Sequence, residues 1–297
     1  MQKNNSRTFL KLFGFSLLAV VLIGYSVGSV ILTDFFTNIP GRGKLAVGSP
    51  GSFDLNYEAV AFQTTAPDKI TLRGWWIPKN GSTKGMLLVH GKDGDRLQLL
   101  SISKYLWDRG FNILVFDMRS HGLSDGQRIT YGKLEQYDII GAVNFIKNRG
   151  VPAIGAVGWS MGAASILLAM GETTEIKAAV LDSPYGDFGR LAQARLGYLS
   201  AFYPGMLLAC TFMCGTDLGG IKPEAAFSRM DNRKILLIHG ELDGTVPVSE
   251  AYAIQKAGNA NIAEAWLLPD VGHTNAYFRY TSEYLSKMLD FFERELK

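Results

Sequence analysis

Six short stretches of this chain are apolar almost from end to end, and they limit the folds open to it. They cover residues 85–90, 111–117, 153–159, 176–182, 234–239 and 263–268. A strand with one face in water alternates apolar and polar residues, whereas a strand covered on both faces does not. Runs this short, without alternation, predict parallel strands buried between two layers. Helical patterns fall between them. Ile139, Ile140, Val143 and Ile146 give one helix an apolar face, and Tyr277, Tyr280, Tyr284, Met288 and Phe292 do the same in the last. Strands alternating with helices predict an α/β class, a mostly parallel sheet with right-handed crossovers and helices on both faces. Two runs rich in aromatic and β-branched residues, 57–64 and 70–77, precede the first helix and suggest an antiparallel start.

The N-terminus obeys a different rule. Lys3, Arg7 and Lys11 are the only charged residues before Asp34. Residues 12–33 form a 22-residue apolar run that includes Leu17, Leu18, Val20, Val21, Leu22 and Ile23. At about 1.5 Å per residue such a helix spans the roughly 30 Å hydrocarbon core of a bilayer. The formal net charge of +3 resides in front of this run; 27 basic and 27 acidic residues remain after it. Residues 1–11 therefore read as a basic flank and 12–33 as a signal-anchor helix. The positive-inside bias puts the N-terminus in the cytoplasm and the rest outside. A cleaved secretory signal, cut near Ser26-Val27-Gly28 and leaving a secreted protein, is the alternative. Residues 34–56, with Gly41-Arg42-Gly43 after Pro40, read as a linker, and 57–297 as one globular domain.

Composition excludes several classes. With 47% hydrophobic residues the chain is not a disordered tail, and two cysteines in 297 residues are no disulfide scaffold. A balanced body predicts no nucleic-acid partner. About 46 residues, 185–230, separate two of the buried runs, too many for a plain loop. They are expected to form a short helical lid inserted over the sheet. Leu199, Phe202, Tyr203, Met206, Leu207, Leu208, Phe212 and Met213 make it apolar. They either pack it onto the core or line an acyl pocket that touches the membrane. Cys210 and Cys214 lie one helical turn apart, and no second ligand pair accompanies them, so zinc is not expected.

The chemistry centres on Gly158-Trp159-Ser160-Met161-Gly162, a G-x-S-x-G motif at the end of a buried run and the start of a helical one. In that context the serine sits on a sharp strand-to-helix turn, with its hydroxyl held above the sheet. A serine nucleophile needs a base, and the base an orienting acid; on such sheets they follow in the order Ser, Asp or Glu, His. His90 and His121 precede Ser160. His239 ends a buried run and reads as structural. His273, in the polar loop after the last run, is the expected base. Asp243, just past the run ending at His239, is the expected acid, with Asp182 the other candidate. Glu241 reads as a rim residue and Asp270 as a residue that shapes its loop. The oxyanion hole is expected from the backbone N–H groups of Lys92 and Met161. No cofactor or metal is expected.

These residues resemble the α/β-hydrolase superfamily from about Tyr57 onward. The matching segments are Leu87-Leu88-Val89-His90-Gly91, Asp117-Met118-Arg119-Ser120-His121-Gly122-Leu123-Ser124, the serine turn, His239-Gly240-Glu241-Leu242-Asp243 and Gly272-His273. The segment that begins at Asp117 is similar to the family's D-x-R-x-H-G-x-S loop. Among subgroups the chain is most similar to membrane-anchored hydrolases near the prolyl-oligopeptidase-like and Bem46-like branches. The resemblance implies an α/β-hydrolase fold and a Ser-His-Asp serine hydrolase acting on a small-molecule or lipid-like ester or thioester through an acyl-enzyme. A peptidase or amidase of the same fold, and a catalytically idle membrane-tethered scaffold, are the alternatives.

Overall fold

Five of the six apolar runs become strands with cover on both sides, whereas the last, Ile262–Leu268, is an edge strand whose side chains are mostly half-buried. In β3 (Lys84–Val89), Leu87 and Val89 enter one apolar cluster, while Met86 and Leu88 enter another on the opposite face. Burying each such side chain is worth roughly 1.5–3 kcal/mol, which fixes the strand between its layers. The computed structural model describes residues 2–40, 43–44 and 47–296, with side chains at Phe9 and from Lys11 onward.

Eight strands form one sheet: β1 (Glu58–Gln63), β2 (Thr71–Ile77), β3, β4 (Asn112–Asp117), β5 (Ala153–Trp159), β6 (Ile176–Asp182), β7 (Lys234–Gly240) and β8 (Ile262–Leu268). Their spatial order is β1-β2-β4-β3-β5-β6-β7-β8. The pairs β1–β2 and β2–β4 are antiparallel and all others parallel, as the two opening runs suggest. Helices α3 (Glu135–Asn148) and α4 (Met161–Met170) cover one face. The other face is covered by α2 (Leu100–Asp108) and, near the C-terminus, by α9 (Thr281–Glu295). Neither α2 nor α7 (Ser249–Ala257) announces itself in the sequence: each begins after Leu99 or Val248, with no side-chain cap. The last helix is two helices. Tyr280, at φ −128° and ψ 46°, separates α8 (Ala276–Arg279) from α9 and turns its hydroxyl to the Asp270 carboxylate, 2.8 Å away. Of the expected apolar face, Tyr284, Met288 and Phe292 are buried in α9.

The insert between β6 and β7 is helical, as its length suggests. It comprises α5 (Phe188–Leu196), a 3-10 turn Gly197–Phe202, α6 (Tyr203–Met213) and a further 3-10 turn Pro223–Arg229. Cys210 and Cys214 are free thiols.

The N-terminal helix α1 runs over Gln2–Thr37, and within it Lys11–Thr37 is long and apolar enough to cross a membrane. Its far end is built into the body. Phe36 and, just beyond, Ile39 are buried in the core, Tyr131 donates its hydroxyl to the Phe36 carbonyl at 2.7 Å, and Arg128 pairs with Asp34 at 2.8 Å. The described part of 34–56 is therefore no free tether: Gly43 N–H donates to the Gly122 carbonyl, and Leu55 is buried. Gly41 and Arg42 of the expected flexible stretch lie outside the described residues.

Candidate active site

The serine turn is set by steric exclusion. Ser160 has φ 52° and ψ −118°, a backbone state that non-glycine residues rarely occupy. It is held there by its own N–H, which donates to the Asp182 carbonyl at 2.8 Å, and by α4 starting at the next residue. A Cβ at Gly162 would run into the carbonyls of Val89 and His90, and one at Gly158 into the Ala163 N at 2.7 Å. The two glycines thus let the turn pass between β3 and α4, at the carboxyl ends of the strands where such sheets hold their ligands.

The structure brings Ser160, His273 and Asp243 together. His273 Nε2 lies 2.9 Å from Ser160 Oγ, and its Nδ1 lies 2.6 Å from Asp243 Oδ2. A carboxylate only accepts, so Nδ1 carries the ring proton and Nε2 is the lone pair facing the hydroxyl. Asp243 is itself fixed, its Oδ1 accepting from the N–H groups of Thr245 and Val246, each at 2.8 Å. The His273 loop is tied down by Thr274 N–H, which donates to Ser183 Oγ at 3.1 Å.

None of the other candidate side chains hydrogen-bonds to the Ser160 hydroxyl or to the His273 ring. His239 lies behind Asp243, its Nε2 2.9 Å from the Val246 carbonyl and 3.5 Å from Asp243 Oδ2, and burial lowers its pKa. His90 accepts at Nε2 from the Met118 N–H at 3.0 Å, and His121 rests on the Arg119 carbonyl. Burial takes His121 down to about 3. Asp117 receives Arg96 and the Leu123 N–H, and Arg119 clasps Asp138 and Asp68, so the D-x-R-x-H-G-x-S segment is scaffold. Asp270 accepts from Tyr280 and Arg279 within its own loop, and Glu241 is exposed. Among the described residues no group of three metal-ligating side chains converges.

Asp182 is not on the imidazole. Its Oδ1 accepts from the Ser183 hydroxyl; Oδ2 lacks a well-formed hydrogen bond, although the Tyr284 hydroxyl is near enough to favour ionisation. Burial dominates and pushes Asp182 up to about 7. An acid raised this way costs stability as pH climbs from its unfolded value, about 4, through about 7. Asp182→Asn is thus expected to gain stability over the wild type across that interval and to hold the gain above it. Urea unfolding of both proteins from pH 4 to pH 8 checks this; a pH-independent difference contradicts it.

A cavity of about 670 Å³ opens over Ser160, within the usual range for small-molecule sites. Met161, Tyr131, Tyr185, Leu191 and Val246 give it apolar walls, while Lys92, Asp93 and Arg195 stand at it as charged groups. Lys92 and Met161, whose backbone N–H groups are the expected oxyanion donors, both line this cavity. Sequence reasoning missed one wall entirely: Asp34, Phe35, Phe36, Asn38 and Pro40, from the end of α1 and the residues after it. No local pattern signals it, because the contact joins residues about a hundred positions apart.

Comparison with known proteins agrees with this architecture. A family model described as Hydrolase_4, serine aminopeptidase, S33, matches residues 81–259. The YfhR protein of Escherichia coli (strain K12) is 26% identical over 249 residues, covering 79% of this chain and 81% of the relative. The YqkD protein of Bacillus subtilis (strain 168) is 28% identical over 203 residues, covering 65% and 66%. Among solved structures, the Pyrococcus furiosus esterase Pf2001 aligns with a TM-score of 0.73 at 26% identity, over 88% of this chain and all of that one.

Proposed function

Because the chain belongs to the serine aminopeptidase S33 family and is an α/β hydrolase, we propose that it is a membrane-tethered serine hydrolase cleaving carboxylic or thio-esters with apolar acyl groups. The observation that carries this reading is the bridge from Ser160 through His273 to Asp243. His273 Nε2 takes the hydroxyl proton as Ser160 Oγ attacks the acyl carbonyl, and Asp243 steadies the resulting imidazolium. The N–H groups of Lys92 and Met161 receive the oxyanion. His273 returns the proton to the leaving alcohol or thiol. It then deprotonates a water that attacks the acyl-enzyme, releasing the acid and restoring Ser160. Nothing in these steps requires a cofactor.

The apolar walls favour acyl chains over small acetyl groups. Hydrolysis of aryl acetate, butyrate, octanoate and laurate by the full chain in detergent is expected to rise in kcat/KM from acetyl to octanoyl. A profile falling from acetyl onward contradicts an acyl pocket. The family's description as an aminopeptidase favours amide cleavage as the other reading; faster turnover of aminoacyl anilides than of the matching esters would select it.

For topology, α1 is read as an uncleaved anchor with its N-terminus in the cytoplasm and the hydrolase domain outside. Protease added to spheroplasts is expected to digest the domain. Its full protection in sealed cells, with digestion only after lysis, reverses the orientation.

A further inference from the structure

Resting on that reading of α1 as an anchor, we propose that residues 196–212 of the insert are a second bilayer-immersed element, docked against α1. The mouth of the Ser160 cavity then lies at headgroup level, and the substrate is a bilayer-resident amphiphilic ester. The first argument is one of depth. Contact between α1 and the insert starts at Tyr25, which accepts from Gly205 N–H and donates to the Ala201 carbonyl, both at 3.1 Å. It continues through Gly28 against Phe202 and Ser29 against Gly205 to Thr33, whose hydroxyl reaches the Met206 carbonyl at 3.2 Å. Asp34, paired with Arg128, is the first charge after the apolar run and marks the water boundary. Tyr25 lies nine residues deeper, about 14 Å along the helix, close to the roughly 15 Å of one hydrocarbon leaflet. If α1 spans the bilayer, whatever it touches at Tyr25 is in the bilayer too.

The chemistry of the insert fits that depth. Residues 196–216 contain no charged side chain, and the flanking charges, Arg195 and Asp217, bracket the stretch. On α6, Leu208 is 63% exposed and Phe212 81% exposed, a poor surface for water and a good one for acyl chains. Backbone and hydroxyl groups in lipid need internal partners. The hydroxyls of Ser26, Ser29, Thr33 and Thr211 each bond to the carbonyl one helical turn back. Close approach through Gly28, Ser29 and Gly205 is the small-residue packing of helices in membranes. Arg195 and Asp34, the charges that end the two apolar stretches nearest the active site, both line the cavity. The cavity therefore opens where hydrocarbon gives way to water, and an amphiphile enters with its acyl chain from the leaflet.

The test uses the full chain in nanodiscs of brominated phosphatidylcholine, with one added tryptophan at Leu208→Trp, Phe212→Trp or, on α7 outside the uncharged stretch, the exposed Tyr252→Trp. The added fluorescence of the first two is expected to be quenched by the brominated acyl chains and shielded from acrylamide, and that of the third the reverse. Lipid quenching no greater than at Tyr252 overturns the proposal. Shielding from both quenchers overturns it equally and points to another copy covering α6. As a functional arm, Leu208→Asp with Phe212→Asp is expected to keep soluble aryl acetate hydrolysis within about twofold while slowing a bilayer-embedded ester at least about ten-fold. Equal slowing on both substrates, with fluorophosphonate labelling retained, contradicts delivery from the leaflet; lost labelling marks unfolding and leaves the quenching result to decide. Wild-type protein that fails to label overturns the hydrolase reading, whereas immersion is still read by quenching.

Discussion

Ser160→Ala is expected to remove nearly all ester hydrolysis, a loss of about 10⁶ in kcat, as for a serine acting in a triad. The size follows from the geometry. With no Oγ beside His273 Nε2 there is no atom to form the acyl-enzyme, and the imidazole can activate only a poorly placed water. A residue of about 10³–10⁴ over the uncatalysed rate should survive, because the oxyanion donors and the cavity remain. KM should change little. Stopped assays with an aryl octanoate, on protein whose unfolding midpoint matches the wild type, measure this. A variant within about tenfold of wild type would mean that Ser160 is not the nucleophile.

Asp243→Asn is expected to cost about 10⁴ in kcat with small effect on KM. Asp243 Oδ2 accepts from His273 Nδ1 at 2.6 Å, which keeps the lone pair at Nε2 on Ser160. An amide NH₂ at that position favours the opposite tautomer and leaves Nε2 protonated against the serine hydroxyl. The turn itself should survive, since an amide oxygen can still accept from Thr245 and Val246. The matched control is Asp182→Asn. Asp182 is the other acid at a neighbouring strand end, but it bonds to Ser183 and makes no bond to His273. Kinetics of the two variants side by side separate the assignments: a large loss in Asp182→Asn and a small one in Asp243→Asn would exchange their roles.

Much of this site could be read from the chain because its constraints are local. The spacing of Gly158 and Gly162 around Ser160 records two close approaches of backbone, which any sequence making the turn must respect. His273 and Asp243 could be placed because each follows a buried strand, and strand ends are where chain order becomes spatial neighbourhood. Continuous burial reveals β3 to β7, which have cover on both faces; β8 has a similar apolar run but lies at the sheet edge, mostly half-buried. Their order was less legible: β4 lies between β2 and β3, and nothing local encodes that swap. Helices α2 and α7 lack capping side chains, so their starts carry no signal. Tyr280 sits in the apolar pattern of a continuous helix, yet its hydroxyl turns to Asp270 and the helix breaks there. Least legible was the cavity wall at Asp34, Phe35, Phe36, Asn38 and Pro40. Membrane criteria describe α1 by its apolar length alone, and say nothing about a far end that seats Phe36 against Tyr131 and pairs Asp34 with Arg128.

That wall ties α1 to the hydrolase domain. If cleavage occurred near Ser26-Val27-Gly28, it would remove Tyr25 and its two hydrogen bonds to the insert. The end of α1 is thus part of the structure that shapes the candidate site.

The central claim is that a nucleophile sits at Ser160. The most direct measurement is mass-spectrometric mapping of the full-length protein after reaction with a fluorophosphonate. The account predicts a single adduct on the peptide carrying Gly158-Trp159-Ser160-Met161-Gly162, at the serine, absent from Ser160→Ala and strongly slowed in His273→Ala. An adduct on another residue, or equal labelling of Ser160→Ala, would contradict it.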